Sequence, residues 1–168
     1  MLGFFVEEIG AVRVEELLEM LRQREAWLEK RGMPMWNPAK LTNEKFFARY
    51  PGARIFLCLL DGEKMGGFAL VERDENYWPG HADDRAYYLH KFVLKPEFSG
   101  QGFADKALEW AAGFALAKGK AALRLDYDEA RPGLAALYGR HGFKPVRVQS
   151  LADGTRMVIA ERELSREE

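Results

Sequence analysis

Residues 89–117 read LHKFVLKPEFSGQGFADKALEWAAGFALA and predict a strand, a glycine loop and a long helix in immediate succession. The apolar residues up to Leu94 are typical of a strand, and Pro96 ends it because proline has no N–H to donate to a sheet. After the loop, alanine recurs at helical spacing and Gly119 provides a C-terminal cap. The next apolar segment, 122–126, is expected to pair in parallel with the first strand, since a crossover helix joins them.

The loop between this strand and this helix has the properties of an anion site. The first four N–H groups of a helix have no partner inside it, and the helix dipole favours a negative ligand there. The glycines at 100 and 102 let a phosphate approach the backbone closely. Lys106 adds a positive charge in the first turn, whereas Asp105 works slightly against an anion. The amides expected to bind the anion belong to Gln101, Gly102, Phe103, Ala104 and Asp105.

Other classes of glycine loop fit this segment less well. A dinucleotide-binding loop needs a third glycine, where Asp105 stands, and a strand earlier in the chain. A Walker A loop needs Lys-Ser or Lys-Thr after its last glycine, where Phe103 and Ala104 stand. A tight turn that merely starts a helix is an open alternative as long as the loop is considered alone.

The flanking sequence extends this segment in both directions. Before it, periodicity and turn residues predict a strand over 4–8, a helix from Val14 to about Gly32, a helix over 42–49 and strands over 55–60 and 65–72. After it they predict a strand over 122–126, a helix opened by Pro132 and ended by Gly142, and strands over 144–151 and 156–164. The strand over 55–60 is apolar on both faces and is expected inside the sheet. The order β-α-α-β-β-β-α-β-α-β-β predicts an α+β fold, with a mixed, mostly antiparallel central sheet of about seven strands flanked by helices.

Composition restricts the classes of protein to which this chain can belong. With 168 residues, 48% of them hydrophobic, it has the size and core of a single domain over residues 1–168. Its 25 basic and 26 acidic residues give a net charge of −1, so neither nucleic acid nor an anionic membrane is an expected partner. The single cysteine, Cys58, excludes a disulfide within the chain and a cysteine-rich zinc site. There is neither a signal peptide nor an apolar run of roughly 20 residues, so a cytoplasmic protein is expected.

Four stretches taken together resemble the GCN5-related N-acetyltransferase (GNAT) family. Residues 89–96 are similar to the family's fourth strand, and Ser99-Gly100-Gln101-Gly102-Phe103-Ala104 is similar to its Arg/Gln-x-x-Gly-x-Gly/Ala loop. Residues 123–126 resemble the fifth strand, and Leu137-Tyr138-Gly139-Arg140-His141-Gly142-Phe143 resembles the family's Leu-Tyr-x-x-x-Gly-Phe ending. The predicted element order fits the same family, so the resemblance covers nearly the whole chain. Two residues depart from the pattern: Ser99 replaces the usual Arg or Gln, and Arg131 stands where Asn is frequent.

The resemblance implies acetyl-CoA as the cosubstrate, with no metal. In this family the diphosphate of CoA lies on the glycine loop, and the pantetheine arm runs between the fourth and fifth strands. Here the arm would follow the backbone of Phe92, Val93 and Leu94. Arg131 is a poor helix N-cap compared with asparagine and is a candidate phosphate ligand instead. The candidates for the 3′-phosphate are Lys91, Lys95 and Arg140.

The resemblance also implies direct attack of an amine on the thioester, in a ternary complex. Backbone N–H groups near Phe92 or Val93 are expected to stabilise the oxyanion. Tyr138, at the position of the family's tyrosine, is the expected general acid for the leaving thiolate. Because a phenol has a pKa of about 10 and a thiol about 8.5, full proton transfer is uphill by roughly 2 kcal/mol. Either hydrogen bonding to the developing thiolate or a lowered tyrosine pKa must compensate.

The base that deprotonates the amine is less well defined. His90 lies on the fourth strand and is a candidate because imidazole titrates near neutral pH, although a strand histidine is more often structural. Glu72 and Asp126 are the alternatives, and each is also explained as a strand-end or surface carboxylate.

Aromatic residues in the loops before the fourth strand are expected to frame the acceptor pocket, and they are Trp36, Tyr77 and Trp78. Anchoring of these loops to the core is the alternative explanation. The expected acceptor is the primary amine of a small molecule. A peptide or protein amine, a non-catalytic module that binds acyl-CoA, and an interaction domain without a CoA site are the alternatives, and a homodimer is compatible with the sequence.

Two other sets of reactive side chains favour structural explanations. Cys58 and His90 contain the elements of a thiol nucleophile, but Cys58 lies in an all-apolar strand, where a buried and inert thiol is expected. His81, Asp83 and Asp84 are loosely spaced in a polar loop, so a solvated turn is favoured over a metal site.

Overall fold

The computed structural model describes residues 3–80 and 84–165 of the chain. Seven strands and four α-helices lie in these segments, in the predicted order. They are β1 (Phe4–Ile9), α1 (Val14–Glu29), α2 (Asn43–Arg49), β2 (Arg54–Leu60), β3 (Glu63–Val71), β4 (Ala86–Leu94), α3 (Phe103–Ala117), β5 (Ala122–Asp128), α4 (Pro132–Arg140), β6 (Lys144–Ser150) and β7 (Arg156–Glu163). Three short 3-10 turns, which the sequence patterns do not predict, follow β1, precede α2 and follow β4 in the described segments.

The described strands form one mixed sheet in the order β1-β2-β3-β4-β5-β7-β6. Residues 86–88 of β4 pair in parallel with residues 122–124 of β5, as the crossover helix predicts. The pairs β1–β2, β2–β3, β5–β7 and β6–β7 are antiparallel. The predicted α+β fold with a mostly antiparallel sheet is therefore confirmed, and β2 lies inside the sheet as its two apolar faces predict.

The chain divides into two compact units, and β4 contributes residues to both. The described part of the first unit comprises residues 3–71 and 90–103. In this unit one apolar face of α1, formed by Val14, Leu17, Leu18 and Leu21, is completely buried. A Cβ added at Gly67 would lie 2.9 Å from Leu17 Cδ1, so the glycine lets this helix pack closely against β3.

The described part of the second unit comprises residues 72–80, 84–89 and 104–165. Here the small-residue face predicted for α3 is confirmed, because Ala107, Ala111 and Ala115 are buried. Gly142 terminates α4 with a φ of 81°, which favours glycine, and the Phe143 N–H returns to the Tyr138 carbonyl at 3.1 Å. None of the described helices combines the length and the hydrophobicity that a membrane-spanning segment requires.

Candidate active site

The residues predicted to bind and process the cofactor are distributed over both units. The first unit contains the glycine loop and the C-terminal half of β4, with His90, Phe92, Val93, Leu94, Gln101, Gly102 and Phe103, and also Trp36. The second unit contains the body of α3 and all of α4, with Ala104, Asp105, Arg131 and Tyr138, and also Tyr77 and Trp78.

The glycine loop is open on its outer side. Gly100 and Gly102 have φ values of 74° and 83°, in the left-handed region that favours glycine. Apart from the two chain neighbours of each glycine, a Cβ placed on either residue would meet no atom of the described chain within 4 Å. The space above both glycines therefore lies open to a ligand that approaches the backbone.

Neighbouring side chains hold the loop in shape. The Phe103 ring stacks with Phe4 at 6.2 Å between centroids and meets the edge of Phe98 at 6.3 Å. The Gln101 side chain turns back and donates to the Glu97 carbonyl at 3.0 Å. The side chains of Gln101 and Phe103 thus contact other parts of the protein, so they do not cover the backbone of the two glycines.

Strand β4 contains a strained residue directly before the predicted oxyanion donors. Lys91 has a φ of 53°, which costs a non-glycine residue about 1 kcal/mol or more. Such residues concentrate at functional sites because the surrounding structure must hold them in place. A left-handed residue also interrupts the alternation of a strand and changes the direction of the N–H groups that follow, here those of Phe92 and Val93.

Gly66 of β3 brings two strands unusually close beside these donors. A Cβ added there would lie 2.2 Å from the Val93 carbonyl oxygen and 3.1 Å from Leu94 Cα. No side chain fits into this gap, so Gly66 fixes the path of β4 along the stretch predicted to follow the pantetheine arm.

His90 and Glu72, two of the candidate bases, have different surroundings. His90 is 7% exposed, and its ring lies 4.6 Å from the ring of Tyr50. In the other unit, Glu72 accepts a hydrogen bond from the buried Lys120 amine at 2.8 Å. The contact with Lys120 supports a structural role for Glu72, and His90 stays the predicted base.

Tyr138 lies in the last turn of α4 among other rings. It is 8% exposed, with Tyr127 at 5.4 Å and Phe143 at 5.7 Å between ring centroids. Its hydroxyl makes no hydrogen bond to another residue of the described segments. Burial, followed by the nearby Asp126 and Tyr127, raises the pKa of Tyr138 well above its usual value. The alternative of a lowered tyrosine pKa is therefore wrong, and the phenol keeps its proton at neutral pH.

The start of α4 differs from the family pattern in the way that the sequence predicts. Arg131 occupies the N-cap position, makes no capping hydrogen bond with its side chain, and precedes Pro132 in the first turn. Its Nε lies 3.8 Å from Asp128 Oδ2, which makes a weak ion pair. A phosphate contact of Arg131 stays a prediction.

Asp105 does not oppose an anion as strongly as its sequence position indicates. Its carboxylate accepts hydrogen bonds from Arg140 Nε at 2.8 Å and His141 Nε2 at 2.6 Å. Arg140, followed by His141, lowers the pKa of Asp105 to about 2. Arg140 is thus bound to a carboxylate, which weakens its candidacy as the ligand of the 3′-phosphate.

We expect Asp105→Asn to flatten the acid limb of the stability profile. A carboxyl group with a lowered pKa stabilises the folded state above its unfolded pKa of about 4, and this contribution is lost as the pH falls toward 2. The free energy of unfolding, measured by denaturant titration at pH 6 and pH 3, should fall less in the variant than in the wild type. An equal fall in both proteins would contradict this role of the ion pair.

Trp36 lies in a loop that is fastened to α1. The buried carboxylate of Glu25 accepts the backbone N–H of Trp36 at 2.8 Å and also that of Met35. The Trp36 ring is only partly exposed. Anchoring explains the position of this loop, and a substrate contact of the ring stays a prediction.

Trp78 is not an exposed wall of a pocket. It is 4% exposed, lies edge-on to Tyr88 at 5.9 Å and faces the Arg124 guanidinium at 4.5 Å. Arg124 is itself buried and donates to Glu161 at 2.6 Å. The burial of Trp78 corrects its assignment to an exposed loop and favours the anchoring explanation. Tyr77 is partly exposed, and its carbonyl accepts a hydrogen bond from Arg147.

The thiol interpretation of Cys58 is excluded by its surroundings. The side chain is completely buried, and burial raises the pKa of the Cys58 thiol to about 12. The predicted inert cysteine is therefore confirmed. His81 and Asp83, two of the three residues weighed as metal ligands, lie outside the described residues.

The strand order and the glycine loop ahead of α3 together define an acetyltransferase fold. The chain matches the model of the acetyltransferase (GNAT) family over residues 14–143 and belongs to that family. At the level of the family it is therefore an acetyltransferase, and the resemblance seen in the sequence is confirmed.

Individual relatives are distant. The uncharacterized N-acetyltransferase YesJ of Bacillus subtilis (strain 168) is 23% identical over 148 residues, which cover 84% of this chain and 82% of that protein. The ribosomal-protein-S18-alanine N-acetyltransferase from Escherichia coli shares the fold with a TM-score of 0.72 at 14% identity, over 98% of this chain and 96% of that one. Aminoglycoside acetyltransferase AAC(6')-Ib, solved with coenzyme A and kanamycin, gives a TM-score of 0.75 at 15% identity, over 96% and 95%.

Proposed function

We propose that the chain is a single, cytoplasmic N-acetyltransferase domain that transfers the acetyl group of acetyl-CoA to the primary amine of a small molecule. The open glycine loop ahead of α3, in a chain of this family, is the observation that carries the proposal. Both left-handed glycines leave their outer side open, which is what a bound diphosphate requires.

In the proposed complex the cofactor is bound mainly through the backbone. The N–H groups of Gln101, Gly102, Phe103, Ala104 and Asp105 bind the diphosphate. The arm follows Phe92–Leu94, which lie beyond the three residues of β4 that pair with β5.

The reaction is a direct transfer. The amine lone pair attacks the carbonyl carbon, and the oxyanion is stabilised by N–H groups of Phe92 or Val93, positioned by the left-handed Lys91. Collapse forms the amide and breaks the carbon–sulfur bond, and the Tyr138 phenol donates a hydrogen bond to the departing sulfur. The amine proton passes to a base, for which His90 is the candidate.

The nature of the acceptor is the least constrained part of the proposal. A small amine is supported by the fold shared with an enzyme solved in complex with kanamycin. A peptide amine is the second candidate, because an acetyltransferase of a ribosomal protein's alanine shares the fold equally well.

Thiol release in the presence of acetyl-CoA and a panel of amines tests the proposed activity. We expect thiol release with at least one small primary amine, and no thiol release with peptides that begin with alanine at the same concentration. Release with the peptides alone would replace the small-molecule acceptor by a peptide.

Cofactor binding is tested separately by thermal unfolding. CoA at 100 times its Kd should stabilise the fold by about 2.7 kcal/mol. Stabilisation without turnover on any amine would identify a non-catalytic CoA-binding module. No stabilisation at millimolar CoA would contradict the proposed function as a whole.

A further inference from the structure

Arg24 of α1 reaches the glycine loop from a distant part of the sequence. Its Nη1 donates a hydrogen bond of 3.0 Å to Ser99 Oγ, the first side chain of the loop motif. Both residues belong to the first unit. Ser99 is the position at which this chain lacks the arginine or glutamine typical of the family.

The charge of Arg24 has no carboxylate partner in the described part of the chain. Three other arginines of the same unit, Arg13, Arg22 and Arg54, each form an ion pair with a glutamate. Within the described segments, Arg24 instead contacts the neutral Ser99 and the indole of Trp27, whose ring centre is 4.5 Å from the guanidinium carbon. Among the residues that the structure describes, the charge of Arg24 is therefore compensated only by an aromatic face.

Burial and a second cation make this arrangement unfavourable without an anion. Burial lowers the pKa of Arg24, and repulsion from Arg31 lowers it further. Arg31 lies on the same indole at 3.6 Å. A partly desolvated cation without a counter-ion binds an incoming anion more strongly than an exposed lysine or arginine does.

We propose that Arg24 is a ligand of the CoA diphosphate and replaces, from α1, the side chain that Ser99 does not supply. This inference rests on the proposed function, because it places the diphosphate on the glycine loop. Only one guanidinium nitrogen is used by Ser99, so other donors of the planar fork are available to phosphate oxygens. The site thus combines backbone N–H groups with one cation that the loop sequence does not contain.

The binding test compares Arg24→Met with Arg31→Met, a matched variant that removes a cation from the same indole without a loop contact. Isothermal titration with CoA should show a Kd raised about 10- to 100-fold in R24M, the range for a hydrogen bond to a charged group, and by less than about threefold in R31M. A cooperative thermal unfolding transition of R24M without CoA, at a temperature no lower than that of the wild type, shows that the variant is folded.

A truncated substrate separates a phosphate contact from a structural role. With acetyl-CoA, kcat/KM of the wild type should exceed that of R24M by a factor of about 10–100. S-acetylpantetheine lacks the diphosphate, so with this thioester the same ratio should be nearly 1. An R24M defect of the same size with both thioesters would show that Arg24 only holds the loop in shape, and would overturn the inference.

Transfer of the charge back to the loop provides the positive test. The double variant R24M/S99R has the cation at the family position and should recover most of the lost CoA affinity. If the wild type binds CoA and R24M binds it with the same Kd, this inference is overturned and the proposed function is not. Wild-type protein that binds no CoA would instead overturn the proposed function, and the role of Arg24 with it.

Discussion

Replacing Tyr138 by phenylalanine is expected to lower kcat by about 10²-fold and to leave the Kd for CoA nearly unchanged. The phenol is buried, keeps its proton and makes no hydrogen bond within the described chain, so its O–H is available to a ligand atom. A hydrogen bond to a charged group is worth about 1.5–3 kcal/mol, which corresponds to a factor of about 10 to 150 in rate. Single-turnover measurement of thiol release isolates this step from product release.

Tyr127→Phe is the matched control, because it removes the hydroxyl of a tyrosine whose ring lies 5.4 Å from the Tyr138 ring and keeps that ring. It should change kcat by less than about threefold. The direction of the Tyr138 pKa adds a second readout. Since the phenol is protonated below its raised pKa, wild-type kcat should show no descending limb below about pH 10. A descending limb near pH 8 that disappears in Y138F would contradict the raised pKa.

The raised pKa also decides between the two ways in which a tyrosine can assist thiolate departure. Full proton transfer from a phenol to a thiolate is already uphill by roughly 2 kcal/mol at reference values, and burial makes it more so. Hydrogen bonding to the developing charge is the remaining mechanism. In the proposed mechanism the departing thiolate therefore takes its proton from solvent after the amide has formed, and the phenol keeps its own.

Local patterns made the fold and the glycine loop ahead of α3 predictable from sequence. The strand, the glycine loop and α3 follow one another within 29 residues, and their periodicity and caps lie in adjacent positions. Tyr138 is a candidate because residues 137–143 resemble the family's Leu-Tyr-x-x-x-Gly-Phe ending, and its catalytic role stays a prediction. Each of these features depends on neighbours in the chain, which a single sequence displays.

Features that depend on packing could not be predicted. Arg24 and Ser99 are 75 residues apart, and nothing in the sequence of α1 distinguishes Arg24 from Arg22 before the fold brings Arg24 to the loop. Lys91 carries no sign of a positive φ, because glycine and asparagine are the residues that usually indicate one. The position of Trp78 in a loop likewise gives no information on its burial, because Tyr88 and Arg124, which contact its ring, are distant in the sequence.

Gly66→Ala is expected to destabilise the protein by about 3 kcal/mol, at the upper end of the range for overpacking. The added Cβ would lie 2.2 Å from the Val93 carbonyl oxygen and 2.8 Å from Leu94 Cδ2. A side chain can rotate away from such a contact, whereas a carbonyl within a strand moves only with its backbone. β4 must therefore shift where the proposed arm of CoA lies, so the KM for acetyl-CoA should rise in the protein that stays folded.

Gly113→Ala distinguishes this clash from a general intolerance to alanine. Gly113 lies inside α3, is exposed, and has no atom within 4 Å of an added Cβ. Alanine should raise the free energy of unfolding by about 0.5–1 kcal/mol there, because it restricts the unfolded chain and favours the helix. In urea titrations, the midpoint of unfolding should therefore be lower than that of the wild type for G66A and higher for G113A. If G66A unfolds at the same urea concentration as the wild type, β3 and β4 are not as close as the structure places them. Gly66 would then not fix the path of β4.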